Sequence, residues 1–322
     1  MRQKRYDIVH THNSKAGFIG RLAAKIAGVP IIIHTIHGFA FHEYERPPRR
    51  ILFILLERFA ARLCDKLITI SEPLKEWGLR LKIGRPEKYV TIYSGIEVEK
   101  FKVNINIDGK KKELGIKPNV KVIGVVAKLW EGKGHETVLE AAPQVIKKIP
   151  DVKFLFVGEG YLRDRLKARV RKLGLSDKII FTGFRSDIPK ITATFDVALL
   201  VSLFEGMGRV LLEAMVLGKP VVATKVGGIV DVVKASGLEG PLAWKEGETG
   251  ILVPPGDADA LAKAIVTILK DEELARRMGE AGKRRIDKRF TAKTMVKRIS
   301  EVYEKLIEST DEHRWKNADE HR

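Results

Sequence analysis

The sequence predicts an α/β fold with doubly wound parallel sheets, and three observations support that prediction. Short runs rich in β-branched residues alternate with longer amphipathic segments along almost the whole chain. Most of the short runs are apolar at nearly every position, as in strands that helices cover on both faces. The length of 322 residues exceeds that of an ordinary single domain and fits two.

The alternation predicts individual strands and helices. The predicted strands are Asp7–His10, Pro30–Thr35, Lys66–Ile70, Tyr89–Tyr93, Val120–Val126, Val152–Val157, Lys178–Thr182, Val197–Leu200, Pro220–Ala223 and Gly250–Val253. The predicted helices are Gly17–Ala27, Arg50–Cys64, Glu136–Lys148, Tyr161–Leu173, Val210–Leu217, Ala258–Leu269 and Thr291–Glu308. Such an order is typical of β-α-β units, in which a helix connects two parallel strands.

A change in composition predicts two domains. Residues 102–119 are polar and contain Gly and Pro, which favours a domain boundary. We therefore predict an N-terminal domain over residues 1–103, with four strands, and a C-terminal domain over 104–322, with five or six. A helix at about 291–308 is expected to cross back to the first domain, and the polar tail 309–322 to be disordered.

The composition narrows the class of protein. Lys plus Arg is 59 against 41 Asp plus Glu, and the net charge of +18 favours an anionic partner such as nucleic acid, an acidic membrane or a phosphorylated substrate. The single cysteine, Cys64, excludes a disulfide framework and fits a reducing compartment. Neither a signal-like N-terminus nor an apolar run near ~20 residues is present, so we expect a soluble cytoplasmic protein.

The segment Phe204–Met215, FEGMGRVLLEAM, carries two glutamates eight positions apart. Its glycines predict a loop that opens a helix near Gly208, with Glu205 at the mouth of the loop and Glu213 one to two turns into the helix. The amides of residues 208–210 would then face an anion, and the carboxylates could contact sugar or ribose hydroxyls. A glycine-containing surface turn is the alternative.

A second segment places two lysines after a predicted strand. Lys128 and Lys133 lie in the loop between the strand Val120–Val126 and a helix. Open parallel sheets bind ligands at the carboxyl ends of their strands, and two ammonium groups beside a helix N-terminus suit a diphosphate. Solvated loop lysines are the alternative.

Together these segments resemble the retaining glycosyltransferases of family 4, which have the two-domain GT-B fold. The family pattern EGxGxxxLEAM stands at Glu205–Met215, and its GRL and EKG segments appear as Ala127–Leu129 and Glu131–Gly134. Lys128 replaces the usual arginine, which keeps the charge but loses the bidentate fork. The resemblance runs from Asp7 to about Glu308 and includes Asp7–His12, His34–Gly38, Tyr93–Phe101, Val157–Gly160, Phe181–Asp187, Gly218–Gly228 and Gly250–Asp257.

The resemblance implies a nucleotide-sugar donor, UDP-linked, and neither a metal nor another cofactor. It assigns Lys128 and Lys133 to the donor diphosphate and Glu213 to the ribose hydroxyls. It assigns Arg185, through its main chain, and Asp187 to the nucleobase. The remaining donor-binding positions are Gly206, Met207, Gly208, Arg209 and Val210.

The resemblance also implies two catalytic residues. Glu205 would position hydroxyls of the transferred sugar, and His37 would reach the donor sugar and diphosphate from the N-terminal domain. The anomeric configuration would be retained, with front-face attack and the departing phosphate as the base.

Family members begin with a strand, a glycine-rich loop and a helix ahead of the strand that starts here at Asp7. We therefore expect an incomplete N-terminal domain with an exposed sheet edge, which favours self-association or pairing with a partner chain. Three explanations stay open: a start downstream of the true one, a piece supplied by another chain, or a reduced homologue.

Two patterns suggest metal sites, and we assign neither to a metal. Asp257 and Asp259 have the D-x-D spacing, but they follow Pro-Pro-Gly and precede an apolar periodic run, so a helix cap is predicted. His10 and His12 would lie on one face of a strand and could bind zinc, yet no cysteine lies near them.

The basic and apolar segment Arg46–Arg62 allows two interpretations. It could be a core helix with its arginines in water, which we favour, or it could lie on an anionic membrane that carries a lipid-linked acceptor. The two are not exclusive.

We therefore predict a retaining glycosyltransferase of the hexosyl or N-acetylhexosaminyl type. It would move the sugar to a glycan or lipid-linked acceptor in polysaccharide or glycolipid biosynthesis, peripheral at the inner membrane face. A UDP-sugar 2-epimerase-like isomerase is one rival. A truncated donor-binding subunit or pseudoenzyme that needs a partner is a second. A nucleic-acid binder rests on charge alone and ranks last, so we expect no nucleic-acid partner.

Overall fold

The computed structural model describes residues 6–43, 45–102, 104–235, 247–286 and 289–319, and of residues 311–319 the backbone alone. The chain divides into two compact units. Unit 1 comprises Met1–Gly95 and Ala292–Arg322, and unit 2 comprises Ile96–Thr291.

Unit 1 contains a parallel sheet whose described strands follow the order β1-β2-β3-β4. The strands are β1 (Ile8–His12), β2 (Ile31–Ile36), β3 (Lys66–Thr69) and β4 (Tyr89–Thr91). Helices α1 (Ser14–Ile26), α2 (Pro47–Arg62) and α3 (Glu72–Arg80) connect successive strands, and a 3-10 turn forms at Pro86–Lys88; a second 3-10 turn, Val98–Phe101, belongs to unit 2. Among the described strands, β1 forms one edge of this sheet. Its pairing with another chain stays a prediction.

The two faces of this sheet are covered by different helices. On β2, His34 faces α1, since a Cβ built at Gly17 would lie 2.3 Å from its ring. Its neighbour Ile33 belongs to an apolar cluster that packs against the final helix, α12 (Ala292–Asp319). Successive side chains of a strand point to opposite faces, so β2 is buried on both.

The described residues of unit 2 form a six-stranded parallel sheet in the order β10-β9-β8-β5-β6-β7. Its strands are β5 (Lys121–Val126), β6 (Val152–Val157), β7 (Ile179–Gly183), β8 (Val197–Leu200), β9 (Val221–Thr224) and β10 (Gly250–Val253). Its helices are α4 (Ile107–Glu113), α5 (His135–Lys148), α6 (Arg163–Lys172), α7 (Ile188–Thr192), α8 (Arg209–Val216), α9 (Ile229–Val232), α10 (Ala258–Lys270) and α11 (Glu272–Arg285).

The strand order of unit 2 confirms the doubly wound arrangement. The chain runs from β5 outward to β6 and β7, and then returns to β8 on the other side of β5. The reversal leaves a topological switch point between β5 and β8, where open sheets of this kind bind ligands.

The boundary between the units lies earlier than the sequence suggested. Residues 96–103, which we assigned to the first domain, belong to unit 2. The N–H of Ile96 donates to the carbonyl of Phe290 over 2.9 Å, and Ile96 forms a β-bridge with Thr291. These bonds attach the connecting segment to unit 2 before the polar stretch begins.

The C-terminal tail also differs from the expectation. Helix α12 continues to Asp319, whereas we predicted a helix to about 308 and a disordered tail over 309–322. The segment 311–319 contains Glu, Arg, Trp, Lys and Ala, which a helix accommodates at low free-energy cost. Residues 320–322 lie outside the described part. None of the described helices is long and apolar enough to cross a membrane.

Candidate functional site

The loops that follow β5 and β8 meet at the switch point of unit 2. The loop after β5 carries Lys128 and Lys133, and the loop after β8 carries Glu205. Because β5 and β8 are neighbouring parallel strands, their carboxyl ends open at the same edge of the sheet. Residues far apart in sequence are thereby brought to one crevice.

Lys133 and Glu205 form an ion pair in this crevice. Lys133 Nζ donates to Glu205 Oε1 over 2.5 Å, and Ser202 Oγ donates to the same oxygen over 3.0 Å. The side chains are 26% and 18% exposed, so solvent screens the pair only in part. The N–H of Leu203 donates to the carbonyl of Gly132 over 2.8 Å, which joins the two loops by their main chains.

Helices α5 and α8 begin at this edge, each after a left-handed glycine. Gly134 (φ 75°) precedes α5, and a Cβ at this position would lie 2.0 Å from the carbonyl oxygen of Val201. Gly208 (φ 82°) precedes α8. The first N–H groups of a helix lack intrahelical partners and carry partial positive charge, so both ends favour an anion.

Helix α8 contains the second half of the predicted glutamate motif. Arg209 is its first residue and is exposed, and Glu213 follows one turn later and is half-buried. Burial raises the pKa of Glu213, and the charge of Arg209 opposes that shift. The side chain of Met207 is buried, so its main chain alone is available to a ligand, whereas Gly206 and Val210 are partly exposed.

Lys128 lies apart from the ion pair. Its Nζ sits 4.2 Å from the ring centroid of Trp130, within the range of a cation–π interaction. Trp130 is 44% exposed and contacts Tyr161, with ring centroids 6.2 Å apart. The Lys128 ammonium is therefore held beside an exposed aromatic surface.

Arg185 and Asp187 form a second charged cluster, after β7. Arg185 binds Asp187 through two hydrogen bonds of 2.8 Å, and it also donates to Glu113 over 2.7 Å. Lys110 donates to Asp187 over 2.9 Å. The Arg185 and Lys110 hydrogen bonds hold the pKa of Asp187 well below its usual range. The Arg185 guanidinium is thus engaged with carboxylates, and β7 lies two strands, about 10 Å, from β5.

Lys110 and Glu113 were missed because their segment was assigned to a polar boundary. They lie on α4, whose N-cap Asn106 accepts a hydrogen bond from the N–H of Gly109 over 2.8 Å. The three-residue spacing of Lys110 and Glu113 places them on one helix face, a signal that could have identified both.

His135 was also missed as a site residue. This first residue of α5 is fully buried, and neither ring nitrogen has a hydrogen-bond partner among the described residues. Its ring packs edge-on against Phe156 with centroids 5.1 Å apart. Burial, assisted by the charge of Lys133, lowers the pKa of His135 to about 4. The imidazole of His135 is therefore neutral near pH 7 and lies close enough to Lys133 to feel its charge.

His37 lies in unit 1, directly after β2, where it is exposed. Its Nε2 is 3.0 Å from Nδ1 of His12, and the two rings stack. His10 stacks on His12 in turn and bonds Thr35 Oγ1 (2.7 Å) and the Tyr303 hydroxyl (2.6 Å). Burial, with the charges of His12 and His37, lowers the pKa of His10 to about 4. These histidines bond each other and neighbouring hydroxyls.

The D-x-D pattern serves as a helix cap, as predicted. Asp257 Oδ1 accepts from the N–H of Ala260 over 2.8 Å at the start of α10, and Asp259 accepts from Gln144. Among the described residues, no group of three or more His, Cys, Asp or Glu side chains is arranged to hold a metal ion.

Comparison with known sequences gives the following matches. The model of Glycosyltransferase Family 4 matches residues 1–100, and that of Glycosyl transferases group 1 matches residues 106–285. A UDP-Gal:alpha-D-GlcNAc-diphosphoundecaprenol alpha-1,3-galactosyltransferase of Escherichia coli is 34% identical over 95% of this chain and 77% of the relative. An N-acetyl-alpha-D-glucosaminyl L-malate synthase of Bacillus anthracis is 29% identical over 92% of this chain and 74% of the relative.

Solved structures of other proteins have folds similar to that of this chain. HepE of Anabaena in complex with UDP-glucose matches with a TM-score of 0.82 and 27% identity, over 94% of this chain and 80% of that chain. Sucrose-phosphate synthase from Thermosynechococcus elongatus matches with a TM-score of 0.80 and 26% identity, over 94% and 74% of the two chains. The likeness confirms the GT-B fold with its two Rossmann-like domains.

Proposed function

This chain belongs to the group 1 glycosyltransferases, and on that premise we propose that it moves a sugar from a UDP-linked donor to a glycan or lipid-linked acceptor. In this proposal the anomeric configuration is retained and no metal ion takes part. The name of the Escherichia coli relative includes UDP-Gal, and the Anabaena structure contains UDP-glucose. Both support uridine as the nucleoside.

One observation carries the proposal: Lys133 and the starts of α5 and α8 converge on the switch point of unit 2. Glycosyl transfer leaves negative charge on the departing diphosphate, and preorganised cations and amides stabilise that charge as it develops. Lys133 and Lys128 would supply the cations, and the amides of residues 208–210 would supply hydrogen bonds.

The cluster after β7 suits the nucleoside end of the donor. The carboxylates of Asp187 and Glu113 hold the Arg185 side chain, so the main chain of this loop is the part that could contact a base. Glu213, half-buried on α8, would accept hydrogen bonds from the ribose hydroxyls. These assignments place the diphosphate between the base and the transferred sugar.

Glu205 and His37 are the proposed catalytic residues. Binding of a diphosphate would give Lys133 a second anionic partner, and the Glu205 carboxylate could then accept hydrogen bonds from sugar hydroxyls. His37 would contact the donor sugar, and the departing phosphate would take the proton of the acceptor hydroxyl during front-face attack.

A lipid-linked acceptor would bring the enzyme to the cytoplasmic face of a membrane. The name of the Escherichia coli relative includes alpha-D-GlcNAc-diphosphoundecaprenol, a lipid-linked sugar, which supports this class of acceptor. We therefore propose peripheral membrane association and a place in polysaccharide or glycolipid biosynthesis.

Calorimetric titration with UDP, GDP and ADP in EDTA tests the donor site. We expect wild type to bind UDP selectively, and Lys133→Ala and Glu213→Ala to bind it at least about tenfold more weakly, since each removes a charge-assisted contact. Lys117→Ala is the matched control, because this exposed lysine precedes β5, at the other end of the strand. A folded chain that binds none of the three nucleotides would overturn the proposed site.

Product analysis tests the reaction itself. With a UDP-sugar and a lipid-linked acceptor, we expect a glycoside whose anomeric configuration, measured by NMR, equals that of the donor. Conversion of the UDP-sugar to its 2-epimer without an acceptor would support the isomerase instead. An inverted product would contradict retention.

A further inference from the structure

Helix α2 carries several of its large apolar side chains outward. Ile51, Leu52, Leu55 and Phe59 are 57%, 55%, 53% and 45% exposed. At 100° per residue these positions lie on one side of the helix. The opposite side holds the buried residues Glu57, Ala60 and Ala61. The core role that the sequence favoured for this segment is therefore wrong for these four exposed side chains.

A buried ion pair fixes this orientation. Arg21 of α1 donates from Nη2 to Glu57 Oε2 over 2.9 Å and from Nε to the carbonyl of Gly17 over 3.0 Å. The side chains of Arg21 and Glu57 are 0% and 6% exposed. Turning the apolar face of α2 inward would leave Arg21 buried without its carboxylate, which is strongly unfavourable.

Positive charges outnumber negative ones around the apolar face. Arginines at Arg46, Arg49 and Arg62 are exposed, while the acid within α2, Glu57, is buried. Glu45, just before the helix, pairs with Arg49 at 3.7 Å and is itself 15% exposed. The surface therefore combines exposed apolar side chains with positive charge.

Helix α1 extends the same surface. Ile19 and Ile26 are 60% and 64% exposed, and Lys15 and Lys25 are exposed beside them. Phe18 of α1 contacts Phe59 of α2, with ring centroids 6.2 Å apart. The apolar surface thus reaches beyond a single helix turn, and contiguous exposed apolar areas of this kind mark interaction sites.

We propose that the outward face of α2, with its arginines, inserts into the headgroup region of an anionic membrane. Apolar side chains would enter the acyl boundary while the arginines contact lipid phosphates, as in interfacial amphipathic helices. A second copy of the chain fits less well, because two arginine-rich faces would repel each other. The inference rests on the proposed function in one respect, since that function supplies the lipid-linked acceptor. The membrane-binding surface itself is inferred from the exposure and charge of its side chains.

Flotation with vesicles tests the proposal. We expect the full chain to bind vesicles of phosphatidylglycerol mixed with phosphatidylcholine, and to bind pure phosphatidylcholine weakly. The double variant Leu52→Ser/Leu55→Ser should lose at least about tenfold in vesicle affinity, since binding scales with the apolar area that is buried. Arg49→Gln/Arg62→Gln should lose a similar factor. Val296→Ser, which changes a 57% exposed residue of α12, is the matched control.

A fluorescent label separates insertion from surface attraction. Cys64 is the sole cysteine and is buried, so a polarity-sensitive dye on a Leu55→Cys variant reports position 55 alone. A shift of its emission to shorter wavelength on anionic vesicles supports insertion. Binding without such a shift, or with no effect of the serine substitutions, would mean diffuse attraction of a basic chain and would overturn the proposal.

Two further outcomes separate this inference from the proposed function. UDP titration of the serine variants should give the wild-type affinity, which shows that the loss of vesicle binding concerns α2 alone. If wild type binds vesicles but not UDP, the proposed donor site fails and the membrane surface stands. A dimer that the serine substitutions convert to a monomer, without vesicle binding, would identify an interface between copies and overturn the proposal.

Discussion

Lys133 Nζ and Glu205 Oε1 lie 2.5 Å apart, although 72 residues separate the two side chains in the sequence. The pair joins the ends of β5 and β8 at the switch point of unit 2. Each charge therefore satisfies the other, and an anion that binds Lys133 must compete with the Glu205 carboxylate. Because of this competition, a substitution of Glu205 should change UDP affinity and turnover in opposite directions.

Glu205→Gln should bind UDP more tightly and turn over more slowly. Loss of the carboxylate removes repulsion of the diphosphate and frees Lys133, so we expect the UDP Kd to fall about twofold to fivefold. Turnover should fall about 10²-fold or more if Glu205 positions the transferred sugar. Calorimetry and steady-state kinetics measure the two effects.

Glu131→Gln is the matched control for that variant. Glu131 is an exposed glutamate in the same loop as Lys133, so its neutralisation changes the local charge equally. It should leave turnover near wild type. A weaker UDP affinity in Glu205→Gln would contradict the proposed competition for Lys133.

Gly134→Ala should destabilise unit 2 more than Gly115→Ala does. Both glycines have positive φ, 75° and 70°, but a Cβ at Gly134 would lie 2.0 Å from the carbonyl oxygen of Val201, and a Cβ at Gly115 meets nothing within 4 Å. Backbone strain alone costs about 1–2 kcal/mol at Gly115, and the added clash raises the loss at Gly134 to about 3 kcal/mol or more. Urea denaturation compares the variants, and equal losses would contradict the close approach.

The sheets could be predicted because their strands are buried on both faces. An interior parallel strand must be apolar at nearly every position, so a run such as Val152–Val157 is visible without knowledge of its partners. Each observed strand lies within two residues of its predicted bounds. Helices α3, α4, α7, α9 and α11 were not predicted. Helices α4, α7 and α9 are too short to show an apolar period, whereas α11 has buried apolar side chains at helical spacing (Leu274, Met278 and Ala281) among many charged residues. The caps of α4 and α11, Asn106 and Asp271, were a further available signal.

The residues of the candidate site could be predicted from the sequence, but the contacts between them could not. The positions of Lys133 and Glu205 after adjacent strands follow from motif and topology, whereas their ion pair depends on how two loops fold together. The burial of His135 likewise depends on packing against Phe156. For α2 the apolar residues were evident, but their direction depends on the buried partner of Glu57.

Protonation of His135 should be one reason why the chain loses stability as the pH falls. Its pKa is about 4 in the folded chain, below the usual value near 6.5, so the unfolded chain binds more protons between these two pH values. The stabilising contribution is full above pH 6.5 and is lost as the pH falls toward 4, by about 2 kcal/mol between pH 7 and pH 5.

His135→Phe should reduce that acid sensitivity. A phenyl ring can fill the site against Phe156 and does not titrate, so its loss of stability between pH 7 and pH 5 should be about 2 kcal/mol smaller than that of wild type. Urea denaturation at both pH values gives the difference. An identical pH dependence in the two proteins would show that His135 binds its proton equally well in the folded and the unfolded chain.

Glu57→Gln should destabilise unit 1 by about 3–5 kcal/mol, because it leaves the Arg21 charge buried without a compensating carboxylate. Glu87→Gln is the control: Glu87 pairs with Arg85 at 4.0 Å, both side chains are well exposed, and its loss should cost about 0–1 kcal/mol. Urea denaturation of the two variants gives the comparison.

The double variant Arg21→Met/Glu57→Leu separates the charge from the packing. Replacing both partners removes the desolvation penalty together with the ion pair, so stability should return to within about 2 kcal/mol of wild type or exceed it. In the double variant, however, no buried charge opposes rotation of α2, so the helix is free to turn its apolar face inward. The double variant should therefore bind anionic vesicles more weakly than wild type even where its stability is equal. Vesicle binding equal to that of wild type would show that packing alone directs the apolar face of α2 outward.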